Sequence, residues 1–203
     1  MQVDLLSCTD KPLDVISLAA GICYGKTNIS HKRVFNCMKM GHGSVLEHAS
    51  ATFLIRDVSR NFTHQLVRHR IASFSEKSQR YVKMNFGDMV KPFVEPEKIE
   101  MFDSERFNDL MVDAFGFYED ALDDGVPAED ARYILPSAVY TDIVVTANAR
   151  ELLHIFALRI DKHAQWEIRD VCKAMSNILK EKGGEQWKQL IEHGESFSEQ
   201  GAI

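Results

Sequence analysis

The sequence predicts an α+β protein, a single domain over residues 1–203 in which helices dominate, with a few strands in its first half. Three observations carry that expectation. Helical periodicity dominates the chain, most clearly in SERFNDLMVDAFGFYEDALDDG, where apolar residues recur at 107, 110, 111, 114, 115, 118, 121 and 122. ASATFLIRDVS is rich in β-forming residues and partly alternates. No Gly/Ser linker, low-complexity tract or internal repeat divides the chain.

Taken in order, VDLLSC reads as a short first strand. KPLDVISLAAGICYG reads as a helix, with Pro12 in its first turn, apolar residues at 13, 16, 19 and 20, and Gly25 as a stop. SHKRVFNCMKMGHG is a second helix between a Ser30 N-cap and a Gly41 C-cap. After the ASATFLIRDVS strand, SRNFTHQLVRHR reads as a helix carrying Phe62, Leu66 and His69 on one face. KMNFGDMVKPFVEPEK, with two prolines, should be loop with one extended piece. The 107–122 helix follows, then VPAEDARYILPS as a short helix stopped by Pro136. AVYTDIVVTAN fits strand or helix. ARELLHIFALRI, HAQWEIRDVCKAMSNILKEKGG (ended by Gly183-Gly184) and EQWKQLIEH read as three closing helices.

Composition narrows the function. The 203 residues are 45% hydrophobic and 27% charged, ordinary values for a globular chain. No apolar run approaches the roughly 20 residues of a membrane span. The N-terminus lacks a basic region ahead of an apolar stretch, so a cytoplasmic protein is expected. Cys8, Cys23, Cys37 and Cys172 are scattered without a C-x-x-C pair, which fits reduced thiols with structural roles. The net charge of −6 argues against a general nucleic-acid binder. It leaves room for a small anionic ligand.

The chemistry concentrates in RHRIASFSEKSQRY. Arg68, Arg70 and Arg80 fall in fourteen residues with His69, Glu76, Lys77 and three serines. Arginine gathers where planar anions are held in a fixed orientation, because its donors form a rigid fork. A solvated charged loop is the plainer alternative. The histidines offer no metal site: H-E-x-x-H is absent, and neither Glu47-His48 nor the His64/His69 pair has the spacing that puts two ligands on one helix face. Arg150 and Arg159, nine apart, should lie on different faces of one helix. Arg159 sits among apolar residues, where a lone charge is costly, so it is expected to snorkel or to pair with a nearby acid such as Asp161.

At these residues the chain resembles the flavin-dependent thymidylate synthases. Arg68-His69-Arg70 followed after seven residues by Ser78 reproduces their R-H-R-x7-S signature. GHGSVLEHASATF looks like the family segment before it, ARYILP matches A-R-x-x-L-P, and NARELLHIFALRIDKHAQWEI matches the long late block. The four blocks run in family order. The resemblance implies a twisted sheet flanked by helices and the reductive methylation of dUMP to dTMP. Methylenetetrahydrofolate is the carbon donor, FADH2 the hydride source and NADPH the reductant. No enzyme cysteine attacks the pyrimidine.

By the same resemblance Arg68, His69, Arg70 and Glu76 would contact FAD, with Asn148, Arg150 and His154 adding contacts from the late helix and His163 lining the pocket. Ser44 would reach the FAD of a neighbouring subunit in a homotetramer with shared active sites. Gln65 and Arg68 would flank dUMP, Glu76-Lys77-Ser78-Gln79-Arg80 would wrap its phosphate and sugar, and Arg132 would add a contact. Arg159 corresponds to the catalytic arginine. Ser75, Val45 and His154 depart from the residues common in the family. A nucleotide- or RNA-binding module without catalysis, and a flavin-bearing homologue without methyl transfer, are the competing readings.

Overall fold

The computed structural model describes residues 1–84, 93–99 and 103–198. Strands β1 (Gln2–Cys8), β2 (Ser50–Ser59), β3 (Ser73–Glu76) and β4 (Tyr140–Asn148) form one antiparallel sheet in the order β1-β2-β4-β3. The helices are α1 (Pro12–Ile22), α2 (His31–Lys39), α3 (Arg60–Leu66), α4 (Ser104–Asp123), α5 (Ala128–Ala131), α6 (Ala149–Arg159), α7 (Trp166–Lys182) and α8 (Glu185–Ser198). A 3-10 turn covers Gly43–His48. The α+β class is as expected.

The ambiguous AVYTDIVVTAN segment is strand β4. Its alternate residues Thr141, Ile143, Val145 and Ala147 are buried, as are Ala51, Phe53 and Ile55 of β2. That period-two pattern puts one face of the central pair in the core. Leu13 and Ile16 of α1, Leu152 and Ile155 of α6, Val171 and Met175 of α7 and Trp187 of α8 close over it. On the opposite face Thr52 and Thr146 hydrogen-bond each other across the strands. The β2–β4 register shifts between Ile55 and Val58, where Asp57 takes a positive φ of 55°. The Asp57 N–H donates to Asp142 Oδ1 at 3.2 Å, anchoring the bulge.

The cap residues act as expected in part. Gly41, at φ 71°, and Gly184, at φ 90°, take the left-handed conformation that ends α2 and α7. Ser30 stands at the N-cap of α2 without a side-chain cap bond; its backbone is instead bound by Ser17 Oγ, which accepts from its N–H and donates to its carbonyl. The long helix α4 belongs to a satellite cluster, with Phe115 and Tyr118 packed against Met84, Phe93 and Val139. Its Leu110 and Phe117 remain exposed. Phe93 bridges Val139, the extended piece expected in KMNFGDMVKPFVEPEK; residues 85–92 of that segment lie outside the described residues.

The helix expected over 59–70 ends at Leu66. Beyond it the Arg68 and His69 N–H groups reach back three residues, to Gln65 and Leu66 carbonyls, and the chain turns into β3. Four residues, Ser73–Glu76, pair with Val144's neighbourhood on β4 although only Phe74 is apolar. Ladder bonds to an open edge outweigh the weak helical preference of this polar stretch.

Glu167 of α7 is buried and ties the helix layer to the sheet. Its Oε1 accepts the Ser59 N–H at 2.7 Å, its Oε2 accepts the Ser59 hydroxyl at 2.5 Å, and Ser59 Oγ in turn caps α3 by accepting the Phe62 N–H. Glu167→Ala strands both Ser59 donors, at roughly 1–3 kcal/mol for each buried group left unpaired. Thermal or denaturant unfolding should therefore show a clear loss of stability, whereas Glu192→Ala on the exposed face of α8 should be near neutral.

Candidate active site

The short loop after α3 carries His69 into the protein, and α6 meets it there. Arg159 Nε donates to His69 Nε2 at 3.0 Å. Glu151 Oε1 lies 3.3 Å from His69 Nδ1, with both side chains almost fully buried. The ring of His154 stands edge-on to His69, centroids 5.8 Å apart. Burial first, then the charges of Arg159 and His154, push the His69 pKa down to about 4. Burial likewise raises the Glu151 pKa, against His154 and Arg150, which lower it. The ring's own shift opposes its ionisation, so the histidine of this contact is a neutral imidazole rather than one half of an ion pair.

Of the two outcomes expected for Arg159, the pairing with Asp161 does not form. That carboxylate is taken by the backbone N–H of His163 at 2.8 Å and its ring at 2.7 Å, which lower the Asp161 pKa. His163 itself is largely exposed. Arg159 spends only its Nε on His69; its two Nη groups have no hydrogen-bond partner among the described residues. Arg68 and Arg70 are exposed, and no carboxylate pairs with either among the described residues. Arg159 thus meets His69 directly, while Arg68 and Arg70 flank it in sequence as exposed side chains without a carboxylate partner among the described residues.

A second cluster forms where β3 ends. Glu76 is held by Arg60, 3.0 Å away, and by the Thr63 hydroxyl, which donates at 2.8 Å. Arg60 also donates to the Lys77 carbonyl at 2.8 Å. In the turn that follows, the Arg80 N–H donates to Ser78 Oγ, and its guanidinium pairs with Glu129 at 3.1 Å. Arg132 Nε donates to the Glu129 carbonyl. Glu129 so brings Arg80 and Arg132 to one place, with Lys77 exposed and Ser78 and Gln79 half-buried beside them. Gln65 is half-buried, its amide donating to the Asn61 carbonyl.

The third group lies at the start of α6. Asn148 caps the helix, its Oδ1 accepting the Glu151 N–H at 2.9 Å. Arg150 pairs with Glu47 at 2.7 Å across the 3-10 turn and lies against Gly43, where an added Cβ would come within 2.9 Å of its Nε. Exposed Ser44 follows that glycine. Arg150 and Arg159 do diverge, one toward the 3-10 turn and one toward His69. Of the departures, Val45 packs against the core, Ser75 is exposed on β3, and His154 meets His69.

Sequence reasoning missed Glu151, Arg60, Thr63, Glu129 and Glu47. Asn148 and Glu151 have the spacing of a capping box, which would assign the glutamate to the helix end. Asn148 does cap, but Glu151 turns to His69. Arg60, a cation in the first turn of a helix, opposes the helix dipole. That mismatch signals a partner, and Glu76 is it. Neither Cys172 nor Cys8 is poised as a thiolate: burial pushes Cys172 up to about 12, and burial with Asp10 raises Cys8. Among the described residues no group of His, Cys, Asp and Glu could hold a metal ion, and no helix is long and apolar enough to cross a membrane.

The chain belongs to the thymidylate synthase complementing protein family, whose sequence model matches residues 4–183. The resemblance carried by the four sequence blocks is thereby borne out. A flavin-dependent thymidylate synthase of Geobacter sulfurreducens is 45% identical over 193 residues, covering 89% of this chain and 82% of that protein. One of Pyrococcus furiosus is 42% identical over 190 residues, covering 86% and 77%. A third, of Pyrococcus horikoshii, is 42% identical and covers 95% and 84%.

His69 should stay neutral throughout the neutral range and titrate near pH 4, well below a free imidazole. The contact with Arg159 needs the neutral ring, so it persists above that pH and breaks as pH falls through it. Histidine-selective NMR titration should show one resonance shifted this far down. A His69 resonance titrating near 6.5 would contradict the site geometry.

Proposed function

We propose that the protein synthesises dTMP from dUMP by reductive methylation, with methylenetetrahydrofolate as carbon donor and NADPH as the final reductant. The observation that supports this reading is the buried neutral His69 that holds Arg159 by its Nε and leaves both Nη groups without a partner among the described residues, with exposed Arg68 and Arg70 beside it in sequence. Such donors suit a phosphate and the electron-rich edge of a reduced isoalloxazine ring. FAD fits this donor set, and when bound it would supply the hydride that completes the methyl group.

The chain's own residues then divide the work. Arg68, His69 and Arg70 hold the cofactor, joined by Arg150, His154, His163 and, from a neighbouring chain, Ser44. Asn148 spends its carbonyl oxygen on the helix cap, which leaves its amide N–H groups to donate to the cofactor. Glu76, already gripped by Arg60 and Thr63, shapes the turn that receives dUMP more than it binds it. Lys77, Ser78, Gln79 and Arg80 take the phosphate and sugar of dUMP, and Arg132 and Gln65 add contacts.

Arg159 faces the pyrimidine. A guanidinium there stabilises the N3-deprotonated, carbon-nucleophilic form without surrendering a proton. No cysteine nucleophile is needed, which suits the raised thiol pKa values of Cys172 and Cys8. The same reading has the enzyme act in the cytoplasm as a homotetramer. Val15, Leu18 and Ile22, an exposed apolar stripe on α1, support association between chains.

Two measurements test the reading. Protein incubated with FAD and desalted should retain the visible flavin absorbance; a colourless protein would remove the proposal. Arg159→Lys should slow dUMP- and folate-dependent oxidation of the reduced flavin on the order of a hundredfold, the range for losing one charge-stabilising donor. NADPH-driven flavin reduction should change little. Equal slowing of both half-reactions would reassign Arg159 to cofactor or structural support.

A further inference from the structure

The direction in which Arg159 points is settled by His69, and the state of His69 is settled by a third residue. We propose that Glu151 is a positioning residue that fixes the hydrogen of the His69 ring on Nδ1 and so keeps Nε2 as the acceptor that aims Arg159. Its consequence for turnover rests on the reading of Arg159 given above; its consequence for the ring does not.

The argument begins with the donor inventory. A guanidinium has five N–H donors and no acceptor. The 3.0 Å contact between Arg159 Nε and His69 Nε2 therefore runs one way, from arginine to a lone pair on Nε2. A neutral imidazole with its lone pair on Nε2 must carry its hydrogen on Nδ1. The opposite tautomer would aim a donor at a donor and release the arginine. Protonation would do the same, but burial and the two charged or basic neighbours facing the ring, Arg159 and His154, oppose it.

What remains is the choice between two neutral tautomers. Glu151 Oε1, 3.3 Å from Nδ1 in a nearly dry site, favours the one that carries Nδ1–H. Carboxylates set histidine tautomers in the same way behind metal-bound and catalytic imidazoles. With Nε docked, both Nη groups leave in one fixed plane, so the fork is oriented before substrate arrives.

A purely local role for Glu151 does not account for this placement. Its backbone N–H satisfies the Asn148 cap whatever its side chain, so a helix-capping requirement alone does not ask for a carboxylate. A buried carboxyl with a raised pKa has to be offset by something. His154 and Arg150 lower its pKa by their charge, and the His69 ring nitrogen, 3.3 Å away, is the group its carboxyl approaches directly.

The test uses Glu151→Gln and Glu151→Leu in the full chain. Nitrogen-15 NMR of selectively labelled histidine reads the tautomer directly, without cofactor or turnover. The wild type should show Nδ1–H at His69, and Glu151→Leu should shift the ring toward Nε2–H or a mixture. Glu151→Gln, isosteric and able to present either amide end, should fall between and guards against misfolding of the leucine variant. An unchanged Nδ1–H signature in both variants overturns the proposal.

In single-turnover assays the methylation half-reaction should fall roughly 10–100-fold, as for other outer-layer orienting partners. The KM for dUMP and the rate of NADPH-driven flavin reduction should hardly move. In an Arg159→Ala background, adding Glu151→Gln should cost nothing further, because both changes remove one interaction. Full additivity would show that Glu151 acts elsewhere and overturn the proposal. If Arg159→Ala alone leaves methylation intact, the catalytic reading of Arg159 fails, while the NMR result still decides the role of Glu151 at the ring.

Discussion

Every part of the candidate site depends on the pairing of β2 with β4. The two strands run antiparallel over eight register pairs, from Ser50 opposite Asn148 to Ser59 opposite Tyr140. One face of the pair supplies the middle of the core. Each strand ends in a polar residue that caps the next helix: Ser59 accepts from Phe62 at the start of α3, and Asn148 accepts from Glu151 at the start of α6. Because the strands are antiparallel, these helices leave from opposite ends of the pair. The loop after α3 then returns along β3, which pairs Ser73 with Thr146 near the end from which α6 departs. That route is what brings His69 to Glu151 across 82 positions of sequence.

The site is built as a set of cations with two different degrees of neutralisation. Arg60, Arg80 and Arg150 are each matched by a glutamate, Glu76, Glu129 and Glu47 respectively. The last two pairs are exposed and worth little to stability, since water screens them and long side chains lose freedom in forming them. They fix geometry: Glu129 gathers Arg80 beside Arg132, and Glu47 holds Arg150 against the 3-10 turn. Arg159 has a neutral partner instead. A carboxylate there would cancel the charge the guanidinium brings to a ligand, whereas an imidazole lone pair orients it and leaves the charge intact. Burial of His69 serves that arrangement, because a protonated ring would repel Arg159.

Within this acidic chain the arginines of the candidate site fall in local groups, at His69, at Glu129 and at the start of α6. With a net charge of −6, the surface as a whole repels polyanions. Local arginine groups in such a field suit small anionic ligands better than a long phosphate backbone.

Local pattern in the sequence was enough for the elements whose own residues bury them: α1, α2, α6 and α7 lie close to where periodicity and caps put them, and Gly41 and Gly184 end helices as glycines do. The four motif blocks were enough for the family, since motif residues are read one by one and need no partner to be recognised. Tertiary structure decided β3, the early end of α3 and the identity of β4, because ladder bonds to a neighbouring strand are invisible to local propensity. It also decided what each arginine does. The same side chain, Arg159, would pair with Asp161 on a reading of its neighbours in sequence, yet folding gives Asp161 to His163 and Arg159 to His69. Glu151 has the spacing of half a capping box, yet its side chain lies against His69. Charge–charge and hydrogen-bond choices depend on distance and burial in three dimensions, and a sequence lists candidates without either.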